Sequence, residues 1–401
     1  MLKLINKSSE RIESFSDNAV VYLDNAATSF PKPKKVIEEM KEFMERYCAN
    51  PGRGNHFMAE KTSRWLMEVR EKICKFFNVN SPLNVCFTKN ATEALNIAIQ
   101  GLLRPGDHVI TTSMEHNSVI RPLKTLERDI GVEITIIKGV KYGEIDANVL
   151  EYAIKPNTRL IVTTLSSNVN GTVLPVEKIG SIARKYNITY LVDASQGAGL
   201  LPVDMEEMNI DLLAFPGHKG LLGPQGTGAL CTGNHIKLEP LMQGGTGSIS
   251  NYLYQPDMMP DMLESGTLNT PGIIGLGSGL DFINCYGIDK IKMHKDELLK
   301  RLHRSLSKIE GVVLYSKDTC NSGIIAMNIN GFDSTQISYI LNENYNIATR
   351  AGLHCAPLAH ETLGTKESGV VRLSLGCFNT ISEIDYTISA IKEIACLMIN
   401  T

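Results

Sequence analysis

Ala214-Phe215-Pro216-Gly217-His218-Lys219-Gly220-Leu221-Leu222-Gly223-Pro224 runs from an apolar strand into a glycine-flanked turn that carries one lysine. A lysine in an isolated turn is ordinarily a solvated surface group. The residues around this one alter that reading. Just upstream, Tyr190-Leu191-Val192-Asp193-Ala194-Ser195-Gln196 is another apolar strand, and it ends in a carboxylate.

These two runs belong to a longer alternation between about residues 84 and 232. Short β-branched runs occur at Asn84–Thr88, Asp107–Thr111, Glu133–Ile137, Leu160–Leu165, Tyr190–Asp193, Leu212–Phe215 and Gly228–Cys231. Helical stretches separate them at Thr92–Leu102, Asn117–Ile130, Asn148–Ile154 and Val176–Tyr186. Strand–helix alternation predicts an α/β fold with a mostly parallel central sheet and helices on both faces. Ligands in such sheets sit at the carboxyl ends of the strands, where loops meet helix N-termini.

Outside this block, residues 34–48 and 58–77 have helical periodicity, the second with Trp65, Val69, Ile73 and Phe76 on one stripe. After about residue 275 a long helical stretch reaches roughly 309. A smaller α+β region follows, with Gly323–Ile329, Ser334–Glu343, Val370–Ser374 and Ser382–Ile399 as its elements. The expected organisation is an N-terminal arm (1–20), a large domain (21–275) and a small C-terminal domain (276–401). The start of the large region is expected to pack on the small domain.

Composition narrows the function classes. Of 401 residues, 43% are hydrophobic and 21% charged, and the net charge is −3, which argues against a nucleic-acid or anionic-membrane surface. No apolar run approaches the roughly 18 to 20 residues that span a bilayer. The N-terminal residues lack the basic start and apolar centre of a secretory signal, so a cytoplasmic location is expected. The nine cysteines include no C-x-x-C pair, so no metal site is indicated and reduced thiols are expected.

The chemistry-bearing residues cluster at predicted strand ends. Phe87-Thr88-Lys89-Asn90-Ala91-Thr92-Glu93 reads as strand, turn and helix start, suited to capping or to binding phosphate. Glu115-His116-Asn117 follows one strand, and Ser166-Ser167-Asn168-Val169-Asn170-Gly171 follows another. Helix capping alone does not account for so many polar strand ends converging on one place.

With these residues in view, the chain resembles the class V aminotransferase superfamily, and within it the cysteine desulfurases and selenocysteine lyases. The resemblance runs from Tyr22-Leu23-Asp24-Asn25-Ala26-Ala27-Thr28 to Arg372-Leu373-Ser374-Leu375-Gly376. It includes Arg53-Gly54-Asn55-His56, Glu264-Ser265-Gly266-Thr267-Leu268-Asn269-Thr270 and Arg350-Ala351-Gly352-Leu353-His354-Cys355. It implies a pyridoxal 5′-phosphate (PLP)-dependent transferase of fold type I and a homodimer with a shared active site.

The resemblance also implies roles by position. Lys219 would hold PLP as a Schiff base, Asp193 would pair with the pyridinium and His116 would stack on the ring. Gln196 and Asn168 would contact the ring oxygen or the substrate. Ala91, Thr92 and His218 would hold the phosphate, and Thr246 would reach the phosphate of the neighbouring subunit. Asn25, Arg350 and Arg372 would bind substrate, a task for which guanidinium geometry suits a carboxylate. Cys355 would attack the sulfur of L-cysteine, release L-alanine and carry a persulfide to an acceptor protein, with Arg350 and His354 favouring its thiolate.

The short Arg350–Cys355 spacing resembles the group II desulfurases. Pro216 stands where the family usually carries serine or threonine, which leaves one phosphate hydrogen bond without its donor. A selenocysteine lyase acting on L-selenocysteine, another class V aminotransferase-type enzyme and a non-enzymatic sulfur-delivery scaffold are the alternatives. Retention of Lys219, Asp193, His116, Arg372 and Cys355 together argues against the scaffold.

Overall fold

A computed structural model describes residues 20–52, 54 and 56–399. The expected N-terminal arm therefore lies outside the described residues except for Val20, as do Arg53 and Asn55 of the second motif. In chain order the strands are β1 (Val21–Tyr22), β2 (Val85–Thr88), β3 (His108–Thr112), β4 (Glu133–Ile137), β5 (Thr158–Thr164), β6 (Thr189–Asp193), β7 (Leu212–Pro216), β8 (Gly228–Thr232), β9 (Val312–Leu314), β10 (Ile324–Ile329), β11 (Ile347–Ala348), β12 (Arg350–Gly352) and β13 (Val370–Ser374). The helices are α1 (Lys34–Arg46), α2 (Phe57–Phe77), α3 (Ala91–Leu102), α4 (Asn117–Ile130), α5 (Ala147–Tyr152), α6 (Val176–Lys185), α7 (Thr270–Tyr286), α8 (Ile288–Leu306), α9 (Ser334–Tyr345), α10 (Pro357–Leu363) and α11 (Ile381–Ile399).

The central sheet has seven strands in the order β2-β8-β7-β6-β5-β3-β4. Only β8 runs against its neighbours. Successive residues of each strand feed opposite faces. Ile161, Tyr190, Val192, Leu213 and Phe215 join one core, whereas Leu160, Val162, Leu191, Leu212 and Ala214 join the other. Burial on both faces explains why these strands are continuously apolar. Because β2 is parallel to β7, the ends of β2, β3, β5, β6 and β7 all reach one edge of the sheet.

The helix termini carry readable caps. Asn90 accepts from Glu93 N at the start of α3, and His116 accepts from Ser118 N at the start of α4. Gly131 ends α4 at φ 72°. The stretch expected as one long helix after residue 275 is two helices, because Gly287 breaks it at φ 97°. Helix α7 packs on α1 and α2 and joins the core of the large sheet. Helix α8 buries Leu298, Leu299, Leu302 and Leu306 in a separate core with β10, β13 and α11. That core covers a four-stranded antiparallel sheet in the order β12-β13-β10-β9. The N-terminal β1 pairs in parallel with β11, next to this smaller sheet.

Candidate active site

The turn after β7 is tightly constrained. A Cβ on Gly217 would stand 2.2 Å from Thr227 Oγ1, so only glycine allows this close approach. The turn projects Lys219 into an open cleft with about 90 Å³ of free space. The cleft is also lined by Ala91, Thr92, His116, Asn168, Asp193 and Gln196, with Pro216 and His218 completing the wall. Burial pushes the Lys219 ammonium down to about 8 against the opposing pull of Asp193, and Arg372 and Arg350 push it the same way. The ammonium makes no hydrogen bond or ion pair among the described residues.

Asp193 ends β6, is 2% exposed and accepts from Ser195 N at 2.9 Å. Gln196 donates to Ala26 O at 2.9 Å, which ties the site to the N-terminal segment. His116 is half-buried. Its Nδ1 accepts from Ser118 N at 3.0 Å and stands 2.9 Å from Ser118 Oγ, which in turn lies 2.8 Å from Thr92 Oγ1. Burial lowers the His116 pKa more than Asp193 raises it. The His218 pKa is pushed down to about 4 by burial and by Lys219 and Lys32, and its Nδ1 is buried without a partner.

Next to the cleft residue Asn168, Arg372 is 1% exposed. Its Nη2 donates to Asp24 Oδ1 at 2.8 Å and its Nη1 to Asn168 O at 3.0 Å, while Nε is unpartnered. Arg350 faces Arg372 in the β12–β13 register. Two guanidiniums and one lysine thus outnumber the carboxylates Asp24 and Asp193, and the site favours a substrate with its own negative charge.

Cys355 is exposed and follows β12 in a loop where His354 and Cys355 both adopt left-handed conformations, at φ 47° and 57°. Two hydrogen bonds tie the loop to the cleft. Asn168 Nδ2 donates to His354 O at 2.7 Å, and Asn117 N donates to Cys355 O at 2.8 Å. His354 is one of the two residues expected to favour the thiolate. Its imidazole is buried and pushed down to about 3, first by burial and then by Arg372, so it is neutral. Arg350 acts on His354 in the same direction.

Three expected residues have other engagements in the single chain. Asn25 donates to Ser374 O and Tyr22 O and accepts from Phe30 N, so its amide pins the N-terminal segment to β13. Thr246 does not line the cleft; its hydroxyl contacts Ser248 at 3.2 Å. Glu264, from the third motif, forms a buried bidentate pair with Arg70 at 2.6 and 2.8 Å.

The sequence reading missed Glu115 as a group in its own right. It is fully buried under the floor, where Oε1 accepts from Thr112 Oγ1 at 2.6 Å and from Thr164 N at 3.0 Å. Burial pushes its carboxyl up to about 8. Ser118 was also missed, although a serine two residues after a capping histidine is a readable helix-start signal.

Comparison with known proteins places this site in a family. The family model described as aminotransferase class-V matches residues 21–387. A probable cysteine desulfurase of Methanothermobacter thermautotrophicus is 40% identical over 381 residues, covering 94% of each chain. A cysteine desulfurase of Pectobacterium atrosepticum is 30% identical over 388 residues, also covering 94% of each. The apo structure of a cysteine desulfurase from Thermococcus onnurineus superposes with a TM-score of 0.89 at 32% identity, covering 94% of each chain. The fold is thus shared with these enzymes, and the chain belongs to the aminotransferase class-V family, among relatives that carry the name cysteine desulfurase.

Proposed function

We propose that this chain is a PLP-dependent cysteine desulfurase, converting L-cysteine to L-alanine and leaving the sulfur as a persulfide on Cys355. The observation that carries the reading is the tether of the exposed Cys355 loop to Asn117 and Asn168, beside the cleft that holds Lys219.

The cleft residues fit the cofactor. His218 Nδ1 is buried without a partner, and the N-terminus of α3 offers free N–H groups at Ala91 and Thr92. These suit a phosphate ester. Thr92 Oγ1 and Ser118 Oγ add hydroxyls. Pro216 contributes no N–H, so that side of the phosphate relies on His218. Asp193 suits a protonated pyridine nitrogen, His116 suits a ring face, and Gln196 and Asn168 suit the ring oxygen. Among the described residues that line the cleft, Lys219 is the one lysine, positioned for covalent attachment. PLP, when bound, supplies an electron sink for negative charge developing on the substrate carbons.

The remaining steps fall to the chain itself. Arg372 and Arg350 hold the substrate carboxylate. Lys219, neutral above about pH 8, takes and returns the proton on the α-carbon. The Cys355 thiolate then attacks the substrate sulfur. A sulfur–sulfur bond forms and the carbon–sulfur bond breaks. The electron pair goes to the carbon, which takes a proton to give alanine. L-cysteine and the Cys355 thiol thus become L-alanine and the Cys355 persulfide, with atoms and electrons balanced.

A homodimer is part of this proposal. Thr246 does not line its own cleft, and Leu253 and Tyr254, a few residues further along the chain, are exposed apolar side chains that suit a subunit interface. Thr246 would there serve the partner's phosphate. The two-domain division, with the boundary near 275, and transfer of sulfur to an acceptor protein are proposed on the same footing. The test is a single turnover of PLP-loaded protein with L-cysteine, followed by mass spectrometry of the Cys355 peptide under non-reducing conditions. One added sulfur atom is expected; an unmodified peptide alongside released alanine would exclude Cys355.

A further inference from the structure

A second cavity opens beside Lys219, away from the residues that line the cofactor cleft apart from Gln196 and Lys219 itself. It is bounded by α8 through Ile291 and Lys295, by Ser322 and Ile324, and by Gly376 and Cys377 after β13. Its free space is about 30 Å³, room for a single small ion or one or two waters.

Lys295 is 4% exposed, and its ammonium donates one hydrogen bond, to Ser322 O at 2.8 Å. An ammonium carries three donors. No carboxylate pairs with it among the described residues. Nearby, the half-buried Lys32 donates through Nζ to Ser29 Oγ and His218 O, both at 2.7 Å, so two of its three donors are already met. Buried cations are normally paired, because an unpaired charge away from water is costly. The Cys377 thiol is close enough to both lysines to be influenced by them, yet burial pushes it up to about 11. It is a neutral S–H at pH 7 and cannot serve as the counter-ion.

We propose that this cavity binds a small monovalent anion between Lys295 and the Cys377 S–H, which both line it. One ammonium and one S–H offer few donors, which suits a single compact charge better than a divalent oxyanion. Chloride and hydrosulfide share the required chemistry, one negative charge on one compact atom. Chloride comes from the medium. Hydrosulfide is what a thiol reductant releases from a persulfide, so this source alone rests on the proposed desulfuration. Because Lys219 shares the cavity wall, an anion there favours the protonated form of its amine.

The probe is sodium bromide. Anomalous diffraction from bromide-soaked holoprotein crystals is expected to place one bromide against Lys295 Nζ and none in a Lys295→Met crystal. In solution, the thermal midpoint is expected to be higher in sodium bromide than in sodium gluconate at equal ionic strength, and that difference is lost in Lys295→Met. Should Lys295→Met fail to fold, Lys295→Gln and the unaltered protein's anomalous map decide instead. Adding sodium hydrosulfide separates the sources: displaced bromide assigns the site to hydrosulfide, and retained bromide assigns it to halide. An empty cavity in the bromide map overturns the proposal, as does bromide in the crystal with equal midpoints in solution. None of these readouts involves cysteine turnover, so they stand or fall apart from the proposed reaction.

Discussion

Asn168 Nδ2 donates to the carbonyl of His354 at 2.7 Å, one residue before Cys355, while Asn168 O accepts from Arg372 Nη1 at 3.0 Å. The residue thus links the arginine expected to bind the substrate carboxylate to the loop expected to take its sulfur. The connection continues to Asp24, which holds the other end of Arg372.

Asn168→Ala removes the bond to His354 O and keeps the backbone acceptor for Arg372. A single hydrogen bond is worth about 1 kcal/mol, so persulfide formation on Cys355 is expected to slow about fivefold. Rapid-quench mass spectrometry of the Cys355 peptide measures the rate. If Asn168 acts only through the cofactor, the variant's absorbance spectrum will shift while the persulfide rate stays unchanged.

Arg372→Lys keeps the charge and loses the fork. A charge-assisted hydrogen bond is worth about 1.5–3 kcal/mol, so the KM for L-cysteine is expected to rise about 10- to 100-fold. Steady-state alanine release gives the value. An unchanged KM would transfer carboxylate binding to Arg350, the cross-strand neighbour.

Lys219 must be neutral to bond the cofactor, and its ammonium is pushed down to about 8, chiefly by burial. The rate of PLP uptake by cofactor-free protein is therefore expected to rise with pH, reach half its plateau near pH 8, and flatten above. Stopped-flow absorbance follows it. A half-rise near 10.4, the value of an ordinary lysine, would mean that the amine is not desolvated in solution.

Glu115 has its carboxyl raised to about 8 by burial, against about 4.3 in an unfolded chain. The folded state holds the extra proton between those values. The cost of Glu115 to stability is therefore absent below about pH 4, grows as pH rises, and is complete above about 8. Glu115→Gln retains an acceptor for Thr112 and Thr164 without the charge. Relative to the unaltered protein it is expected to be equal in stability near pH 4 and more stable by on the order of a few kcal/mol at pH 8. Urea melts at the two pH values test this, and a gap that shrinks with rising pH would show that the carboxyl is ionised when folded.

Much of the architecture is local enough to read from sequence. Glu133–Ile137 and Asn117–Ile130 have the boundaries that periodicity and caps predict, because His116 and Gly131 mark both ends of α4. The antiparallel course of β8 was not legible, since strand direction leaves no mark in the strand's own residues. Nor was the break at Gly287, which a lone glycine inside a helical pattern does not announce. In the site, Lys219, Asp193, His116, Asn168, Gln196 and His218 line one cleft, as strand ends in a parallel sheet must. Glu115 and Lys295 were missed for the opposite reason. A carboxylate or ammonium in a helical or strand-end position reads as solvated until its burial is seen.

The most direct measurement is an anaerobic assay of PLP-loaded protein with L-cysteine and a thiol reductant, quantifying alanine and sulfide together in the unaltered chain and in Cys355→Ala. Equal amounts of both products, lost in Cys355→Ala although its cofactor absorbance is intact, are expected. Sulfide release by Cys355→Ala at the unaltered rate would contradict a persulfide on Cys355.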